Sequence, residues 1–310
     1  MAQEFGFRPK TIADLNGQPK IQKMLNIYIK AAQIKGECFP HTIITGHSGC
    51  GKSTVAMIIA NELGNQYKAY SGPSINDIKV VDQILMNIKE NDVIFIDEIH
   101  RLGRRLQEAL YFAMEQFQAD VTVDGVTSRI DLPHFTLIAA TNLYGGLNDA
   151  LLNRFPIQLK LAAYNEDSMT TIVKRICKEK NIVIDDKSAN IIAATTRGIP
   201  RNANSYVARV YDYALVMNDG VIDINVVHDA LDIMGINKYG LNQDDMDYLR
   251  FLGGNSRAVG VDTISLTLGI DKETIQTKIE PYMLSKKYIQ KQPRGRVITD
   301  FGHEILMECE

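Results

Sequence analysis

Residues 46–53, with the sequence GHSGCGKS, have the types and spacing of a loop that binds phosphate. In such a loop the backbone N–H groups face the anion, and the following helix directs its positive end toward it. Lys52 would contact the β- and γ-phosphates of a nucleotide, and the Ser53 hydroxyl would bind Mg²⁺. The glycines that leave room for the phosphates are Gly46, Gly49 and Gly51. The pattern therefore predicts a nucleoside triphosphate site.

Two adjacent acids, Asp97 and Glu98, close the apolar stretch VIFIDE. Asp97 could hold Mg²⁺ through its water shell, and Glu98 could deprotonate a water that attacks the γ-phosphate. A helix cap is the alternative interpretation of such a pair. Because a kinase transfers phosphate to a substrate hydroxyl, an acid pair placed to activate water favours hydrolysis instead.

Three apolar runs would position these residues: 41–46 before the loop, 92–98 around the acid pair, and 135–142, with the sequence FTLIAATN. Their nearly continuous apolar character is typical of strands buried on both faces of a parallel sheet, and helical patterns alternate with them. The third run ends in Thr141-Asn142, so Asn142 would lie beside the other strand ends, within reach of the attacking water or the γ-phosphate. We expect an α/β sandwich with a parallel sheet.

The composition is that of an ordinary globular protein, with 310 residues, 45% hydrophobic and 23% charged, and a net charge of −3. This balance argues against a protein that coats nucleic acid through bulk positive charge. The four cysteines form neither a zinc signature nor a disulfide framework, and we expect His100 and His134 to be structural or hydrogen-bonding residues rather than metal ligands. Because no signal-peptide pattern or membrane-spanning apolar run is present, we expect a cytoplasmic protein without membrane contact.

Changes in periodicity along the chain predict three domains. A helix over 20–34 precedes the first strand, and the Asp-Gly pair within 121–131, VTVDGVTSRID, predicts a tight hairpin. Residues 286–300, KKYIQKQPRGRVITD, predict a strand, a turn and a second strand. Between these two strand pairs, helices are predicted near 168–180, 186–196, 202–218 and 225–234. The predicted domains are 1–161 for nucleotide binding, 162–238 as a small helical domain and 239–310 as a helix-plus-hairpin domain.

Two arginines complete a recognisable order: Arg154 in ALLNRF and Arg201 in RGIPRNANSYVARV. Alone, each would be an ordinary solvated charge or half of a surface ion pair. Together with the phosphate loop, the acid-pair strand and the asparagine-ended strand, they resemble the AAA+ ATPases. Several short segments of the sequence are similar to the RuvB family, which are bacterial motors that drive Holliday-junction branch migration. The similarity spans about residues 7–304 and is carried by FRPKTIADLNGQPK, FIDEIHRL, LYFAMEQFQ, IDLPHFTLIAAT, RGIPRNAN, GVDTISLTLG, IEPYM and PRGRV.

This resemblance implies an AAA+ fold with a helical lid and a C-terminal winged helix. It also implies an ATP- and Mg²⁺-dependent hydrolase that works as a homo-hexamer on double-stranded DNA at a four-way junction. The catalytic residues that it implies are Lys52, Asp97, Glu98, Asn142 as sensor 1, Arg154 as the arginine finger of the neighbouring subunit and Arg201 as sensor 2. The nucleotide-binding residues that it implies are Arg8, Pro9, Gly46, Gly49, Gly51, Lys52, Ser53, Thr54, Tyr164 and Arg201, with Ser53 and Asp97 on the metal.

The chain departs from the family pattern in several places. Asn142 stands where the family usually has threonine, Leu152 where it usually has arginine, and Asn148-Asp149 replaces Ser-Pro. The hairpin over 120–131, by which the family docks on the junction-binding protein RuvA, is shorter here and has few apolar residues. The sequence therefore leaves open whether this hairpin binds a RuvA-like partner or merely covers the sheet. These departures would suit a divergent or mobile-element member of the family.

Residues 278–298 hold six Lys or Arg against one acid. Helices followed by a two-stranded wing with Pro-Arg-Gly-Arg at its turn resemble a winged helix. Gly295 would let the wing tip approach a DNA backbone, and Arg294 and Arg296 would grip phosphates, with Lys291 nearby. A solvated charged face is the alternative interpretation.

Two other functions remain open from the sequence. An AAA+ loader, or an ATP-controlled switch that acts on a protein partner without translocation, would share every motif in the first 235 residues. A DNA-binding winged-helix protein with a degenerate nucleotide site is the other, and the intact Asp97-Glu98 pair argues against it.

Overall fold

The structure, a computed structural model, describes residues 8–123, 126–143, 145 and 147–309. These residues divide into two compact units. The sheet unit comprises residues 8–168 and the short segment Ile199–Arg201, and the helical unit comprises Met169–Gly198 and 202–309. The predicted lid and winged-helix segments therefore belong largely to one compact unit.

The sheet unit is an α/β sandwich, as predicted. Its strands are β1 (Thr42–Thr45), β2 (Tyr67–Ser71), β3 (Val93–Asp97), β4 (Gln118–Val123), β5 (Val126–Asp131), β6 (Thr136–Thr141) and β7 (Ile157–Lys160). Its helices are α1 (Pro19–Lys35), α2 (Lys52–Leu63), α3 (Ile78–Met86), α4 (Arg104–Gln116) and α5 (Asp149–Leu152). A five-stranded parallel sheet has the order β2-β3-β6-β1-β7, and β4 pairs with β5 as an antiparallel hairpin.

Successive residues of the central strands enter two different hydrophobic cores, one on each face of the sheet. On β3, Ile94 and Ile96 belong to the core that contains residues of α3 and α4. Val93 and Phe95 belong to the other core, together with residues of α1 and α2. Burial on both faces explains why β3 is apolar throughout, which is the signal that predicted it.

The sequence patterns did not predict β2 or β7, the two edges of the sheet. In β2 every residue is half-buried or exposed, and in β7 buried and exposed residues alternate. An edge strand has fewer neighbours to bury its side chains, so its sequence carries a weaker apolar signal than a central strand.

The predicted lid helices are confirmed, with each end within two residues of the predicted position. The lid consists of α6 (Glu166–Glu179), β8 (Val183–Ile184), α7 (Asp186–Thr195), α8 (Pro200–Met217), β9 (Val221–Ile222) and α9 (Ile224–Ile233). The winged helix consists of α10 (Gln243–Gly253), α11 (Val261–Leu268), α12 (Lys272–Thr274), α13 (Glu280–Ser285), β10 (Ile289–Gln292), β11 (Gly295–Ile298) and α14 (Asp300–Cys309).

The wing is confirmed as an antiparallel pair in which Gln292 lies opposite Gly295. On the other side of β11, Val259 pairs with Arg296 and adds a third strand position. Residues 275–279 form a π-helical turn between α12 and α13, ahead of Pro281. Because proline has no N–H to donate, a wider turn next to it accommodates the interrupted hydrogen-bond ladder.

Within the described ranges, no helix is long and apolar enough to cross a bilayer. All four cysteines are free thiols, and Cys50 and Cys177 are buried. His100 is a hydrogen-bonding residue, as expected, because its Nδ1 lies 3.0 Å from Thr141 Oγ1. The His134 ring packs on Phe117 with a centroid distance of 4.3 Å.

His41 is held in its neutral form at the edge of the core. Its Nδ1 accepts a hydrogen bond of 2.8 Å from the Leu137 N–H, so Nε2 carries the proton and faces the Met114 carbonyl at 3.3 Å. Burial lowers the pKa of His41 from 6.5 to about 4, although the Met114 carbonyl opposes this shift. A second proton on the ring would also remove the acceptor that Leu137 uses.

The free energy of unfolding should therefore fall as the pH falls through the window between 6.5 and about 4. In that window the unfolded chain binds a proton at His41 that the folded chain does not, so the contribution is complete above the unfolded pKa and is lost on acidification. The full contribution is roughly 3 kcal/mol. Urea unfolding of wild type and of His41→Asn, which keeps a side-chain acceptor, measures it. The His41→Asn profile should be flatter, and His303→Asn in the helical unit is the control. An equal slope in wild type and His41→Asn contradicts the assignment.

Candidate nucleotide site and nucleic-acid interface

The phosphate loop lies between the end of β1 and the first residue of α2, as the sequence predicts. Lys52 opens α2 and is 9% exposed. Its Nζ donates to the carbonyls of Gly46 at 3.0 Å and His47 at 3.1 Å. Burial lowers the pKa of Lys52, and the nearby charge of Asp97 opposes that shift. The two predicted functional charges, one cationic and one anionic, are therefore close enough to interact.

Gly49 and Arg201, which are far apart in the sequence, meet at this loop. Gly49 has a φ of +82°, and a β-carbon there would lie 2.8 Å from Ile199 Cγ2 and 2.9 Å from Arg201 Cβ. Only glycine combines that backbone conformation with that close approach. Arg201 donates from its backbone N–H to the Gly49 carbonyl at 3.3 Å and from Nη1 to Ser48 Oγ at 3.0 Å. The predicted sensor 2 residue thus lies against the phosphate loop.

The register of the sheet aligns the carboxyl ends of the functional strands. Thr45 of β1 lies opposite Thr141 of β6, and Ile96 of β3 lies opposite Ala139 of β6. Because β6 lies between β1 and β3, Asn142 follows a strand that separates the phosphate loop from the acid pair. Asn142 is exposed at this edge.

Glu98 has a left-handed backbone conformation, with φ +51° and ψ +43°. Its N–H donates to Asp97 Oδ1 at 2.9 Å, which orients the two acids relative to each other. The backbone at Gly72, just after β2, covers the Glu98 carbonyl so closely that a β-carbon on Gly72 would collide with it. Non-glycine residues in this backbone region cost free energy, and such strain concentrates at functional sites.

Sequence reasoning missed one contact at this edge, the hydrogen bond between His100 and Thr141. The Thr141 hydroxyl is fully buried and also accepts from the Leu143 N–H at 3.0 Å. The link ties the turn after the acid pair to the end of β6. The signal available in the sequence was a polar residue, Thr141, at the end of an otherwise apolar strand.

The other predicted nucleotide-binding residues flank the loop. Tyr164 is 8% exposed, and a β-carbon on Gly51 would lie 3.9 Å from its hydroxyl and 4.0 Å from Thr54 Cβ. Burial raises the pKa of Tyr164 to about 12. The positive charge of Arg8 opposes the rise in the pKa of Tyr67 that burial causes. The Tyr67 hydroxyl lies 3.5 Å from the Ser53 carbonyl. Two further residues of the predicted set are half-buried, Pro9 and Ser53.

Arg154, the predicted arginine finger, is bound to α4. Its Nη2 forms an ion pair of 2.7 Å with Glu115 and a hydrogen bond of 3.3 Å with the Tyr111 hydroxyl. The guanidinium also lies 5.0 Å from the centre of the Tyr111 ring, and its side chain is 38% exposed. Its Nε is buried without a hydrogen-bond partner. The contacts that hold Arg154 come from α4 and not from the phosphate loop.

The structure places Arg296 differently from the exposed phosphate-gripping position that the sequence predicts. Its side chain is 13% exposed and its Nε donates to Glu280 Oε1 at 2.6 Å. Lys291 pairs with Glu280 Oε2 at 2.8 Å, and the Tyr248 hydroxyl donates to the same carboxylate at 3.2 Å. Burial alone would raise the pKa of the fully buried Glu280, but Arg296 and Lys291 outweigh burial and lower it. The clue in the sequence was the single acid among the six cations of 278–298.

The position of Gly295 also differs from the prediction. Its φ is +147°, and a β-carbon there would collide with the Val259 carbonyl. Gly295 therefore permits the wing to pair with the segment at Val259 rather than leaving space for DNA. Of the four predicted DNA contacts, Arg294 and Lys291 remain exposed.

Among the hairpin side chains that the structure describes, Val126 is exposed while Val121 and Ile130 pack on the core. Val121 is 4% exposed and packs in the core, Ile130 packs against that core, and Val126 is 68% exposed. Arg129 pairs with Asp120 across the strands at 2.7 Å. The side chain of Val123 and the predicted Asp-Gly turn at 124–125 lie outside the described residues.

Comparisons with known proteins agree with these features. The Holliday junction DNA helicase RuvB P-loop domain matches residues 7–161, the RuvB AAA lid domain 164–237, and the RuvB C-terminal winged helix domain 238–307. The Holliday junction branch migration complex subunit RuvB of Campylobacter hominis is 40% identical over 98% of this chain and 91% of its own length. The protein of the same name from Wolbachia sp. subsp. Brugia malayi is also 40% identical, over 98% of this chain and 94% of its own length.

Solved structures give the same result. The structure described as the Thermotoga maritima RuvB Holliday junction branch migration motor has a TM-score of 0.89 and 33% identity, covering 97% of this chain and 98% of that chain. A point mutant of the same protein has a TM-score of 0.90, covering 97% of this chain and 99% of that chain. The predicted α/β sheet domain, lid and winged helix are therefore confirmed as an AAA+ architecture.

Replacing Glu98 by Gln should leave nucleotide binding intact and lower the rate of hydrolysis by at least about 100-fold, since a positioned general base contributes that much. Binding of a fluorescent ATP analogue and release of phosphate are the two measurements. Glu108→Gln, a surface carboxylate on α4 that pairs with Arg104, is the matched control and should hydrolyse ATP at the wild-type rate. Equal rates of ATP hydrolysis by wild type and Glu98→Gln would contradict the assignment of Glu98 as the general base.

Proposed function

The chain belongs to the RuvB family, and on that premise we propose that it is an ATP-hydrolysing ring motor that drives Holliday junction branch migration. It would thereby serve homologous recombination and DNA repair. The curated relatives carry the name of a branch migration complex subunit, and the match to them covers nearly the whole chain. We propose further that it acts where the DNA is, in the cytoplasm.

The observation that carries this proposal is the meeting of four groups at one edge of the sheet. The phosphate loop with Lys52, the Asp97-Glu98 pair and Asn142 follow three neighbouring strands, and Arg201 contacts the loop at Ser48. A P-loop without a base would bind nucleotide without efficient hydrolysis. A base that follows the neighbouring strand and a sensing arginine that contacts the phosphate loop suit a protein that both hydrolyses ATP and responds to it.

The residues of the site fit ATP and Mg²⁺. Gly49, in a left-handed conformation, has no β-carbon that would collide with Ile199 and Arg201. Lys52 is the first residue of α2, and the charge of Asp97 acts on the pKa of Lys52. Ser53 and Asp97 would hold the metal, which when bound supplies electrostatic stabilisation of the phosphate oxygens. Lys52 would bind the β- and γ-phosphates, and Glu98 would accept the proton of the attacking water. Asn142 would orient that water, and Arg201 would report the state of the γ-phosphate to the lid.

Arg154 would complete the site of a neighbouring subunit as its arginine finger. Its partners on α4, Tyr111 and Glu115, leave the side chain 38% exposed, so a neighbouring anion could compete for it. A finger that acts on the next subunit requires head-to-tail contacts between copies, which form a ring when the rotation between copies closes. The resemblance to the RuvB family implies that six copies close the ring. We therefore propose a homo-hexamer with one nucleotide site at each subunit boundary.

The winged helix would hold the DNA backbone without reading bases. Arg294 is exposed at the wing turn, and Lys286, Lys287 and Lys278 are exposed on the same basic segment. A few phosphate contacts per subunit bind weakly, and several subunits acting together strengthen them. Arg296 and Gly295 would support this surface from inside rather than touch DNA.

A RuvA-like partner would find little apolar surface to bind among the described side chains of the short hairpin. Val126 is its exposed valine among the described residues, and the charged pair Arg129–Asp120 covers part of one face. We propose that any contact with a junction-binding protein here is smaller and more polar than an apolar docking surface.

Mixing two inactive variants tests whether the finger acts in trans. Arg154→Ala lacks the finger and Lys52→Ala lacks a competent site, so each alone should hydrolyse ATP at least about 100-fold more slowly than wild type. In a random one-to-one mixture, roughly a quarter of the interfaces join an intact site to an intact finger, and ATP hydrolysis should recover in proportion. Absence of recovery would mean that Arg154 acts within its own chain, for example by holding α4 through Glu115.

Branch migration of a synthetic four-way junction, measured with and without RuvA, tests the motor itself. Wild type should separate the junction in an ATP-dependent way, and migration without RuvA would show that the hairpin partner is not required. Arg294→Ala should weaken DNA binding by about ten-fold when several subunits lose a phosphate contact, with the thermal midpoint unchanged.

Two matched variants sharpen this test. Arg294→Lys keeps the charge and should retain most of the binding. Arg296→Ala should instead lower the stability of the winged helix by about 3 kcal/mol, because it leaves the buried Glu280 carboxylate without its main partner. A chain that keeps a protein-partner complex but never moves a junction would be the loader that the sequence left open.

A further inference from the structure

The lid arginine Arg197 forms a tightly buried contact with the winged helix. It follows α7, has a left-handed φ of +60°, and its side chain is 11% exposed. Its Nε donates to the Gly240 carbonyl at 2.6 Å, and its terminal nitrogens donate to both carboxylate oxygens of Asp245. The guanidinium also lies 5.0 Å from the centre of the Tyr282 ring. One side chain therefore uses its planar fork, its charge and its face at the same time.

The partners of Arg197 come from three different places in the winged helix: the segment before α10, the first turn of α10 and α13. Asp245 is 1% exposed and also accepts from the Asn242 N–H at 2.9 Å, as part of the cap of α10. Burial raises the pKa of Asp245, and the Arg197 charge opposes that rise. Removal of Arg197 would leave a buried carboxylate without its charged partner, which strongly lowers the stability of the folded chain. The folded state therefore depends on this contact.

The chain that connects lid and winged helix is itself ordered. The Asn237 side-chain oxygen accepts from the N–H groups of Tyr239 at 3.0 Å and Leu241 at 2.9 Å. The Tyr282 hydroxyl donates to the Tyr239 carbonyl at 2.8 Å. Gly240 has a φ of +72°, and a β-carbon there would collide with the Thr195 carbonyl at the end of α7. These contacts make the connection a fixed joint instead of a flexible linker.

The same stretch of chain continues directly into the nucleotide loop contact. Gly198 follows Arg197, and Ile199–Arg201 then belong to the sheet unit, where Arg201 binds Ser48 and Gly49. Arg197 and Arg201 are thus separated by three residues. Arg197 binds the winged helix, and Arg201 binds the phosphate loop.

We propose that Arg197 is the positioning residue that couples ATP hydrolysis to movement of DNA. It fixes the winged helix to the lid, so that displacement of Ile199–Arg201 by a change of nucleotide moves the winged helix as well. Arg197 touches neither nucleotide nor DNA in this role. The inference rests on the proposed motor function and adds to it the joint through which force passes.

Arg197→Lys tests the coupling, because lysine keeps the charge but cannot form the forked pair or stack on Tyr282 in the same way. ATP hydrolysis and DNA binding should each stay within about two-fold of wild type, while junctions migrated per ATP hydrolysed should fall by about ten-fold or more. Asp245→Asn removes the charge from the other side with little change in size and should give the same uncoupled behaviour. Thermal unfolding of both variants verifies that they fold.

Arg250→Lys is the matched control, because Arg250 on α10 pairs with Asp247 at the surface at 2.8 Å. It should couple hydrolysis to migration like wild type. An unchanged coupling ratio in Arg197→Lys would overturn the proposal. A parallel loss of hydrolysis and migration would overturn it too, because Arg197 would then act on the chemistry.

A second measurement needs no DNA and so separates this proposal from the motor function. Amide hydrogen exchange in residues 237–245 should differ between ADP and a non-hydrolysable ATP analogue in wild type, and this difference should vanish in Arg197→Lys. Persistence of the difference in the variant contradicts the joint. If wild type moves no junction but shows the exchange response, the motor function fails while the joint between nucleotide and winged helix stands.

Discussion

The parallel register of β1, β6 and β3 is the constraint on which the site depends. Parallel strands end at the same edge, so residues that follow them meet without any further element to bring them together. Thr45 opposite Thr141 and Ile96 opposite Ala139 set that alignment. The register is itself held by burial on both faces, since a shift by one residue would exchange the side chains that enter the two cores. Packing in the sheet therefore determines the geometry of the chemistry.

Two buried arginines connect separate elements within the helical unit. Arg197 with Asp245 joins the lid to the winged helix, and Arg296 with Glu280 joins the wing to α13. Each pair is shielded from water and supported by further hydrogen bonds, which makes it directional and costly to break from one side. Apolar contacts alone would permit sliding, whereas a forked pair specifies one arrangement. A domain that has to transmit displacement benefits from this specificity.

Arg154 shows a different use of the same side chain. Its partners on α4 leave the Arg154 side chain partly exposed, and its Nε has no hydrogen-bond partner. Such a guanidinium is held in place but not fully satisfied, which suits a group proposed to serve a neighbouring copy. The contrast with Arg197 and Arg296 follows from exposure: the two structural arginines are 11% and 13% exposed, and Arg154 is 38% exposed.

The sequence by itself determined the phosphate loop, the acid pair and the central strands, because these signals are local. Gly49, Lys52 and Ser53 act through their spacing, and β3 is apolar throughout because both of its faces are buried. The lid helices were equally readable from helical periodicity. The edge strand β2 could not be predicted in this way, because its residues are all half-buried or exposed and show neither a continuous nor an alternating apolar pattern.

Only the tertiary structure decided which arginines face solvent and which are buried. In the sequence Arg294 and Arg296 flank one glycine and are equivalent, yet Glu280, sixteen residues earlier, binds the second and leaves the first exposed. In the same way, Asp245 lies 48 residues from Arg197, and no local pattern links them. Ion pairing depends on distance in space, and spacing along the chain encodes that distance only within one helix or hairpin. Long-range partners therefore become known when the fold brings them together.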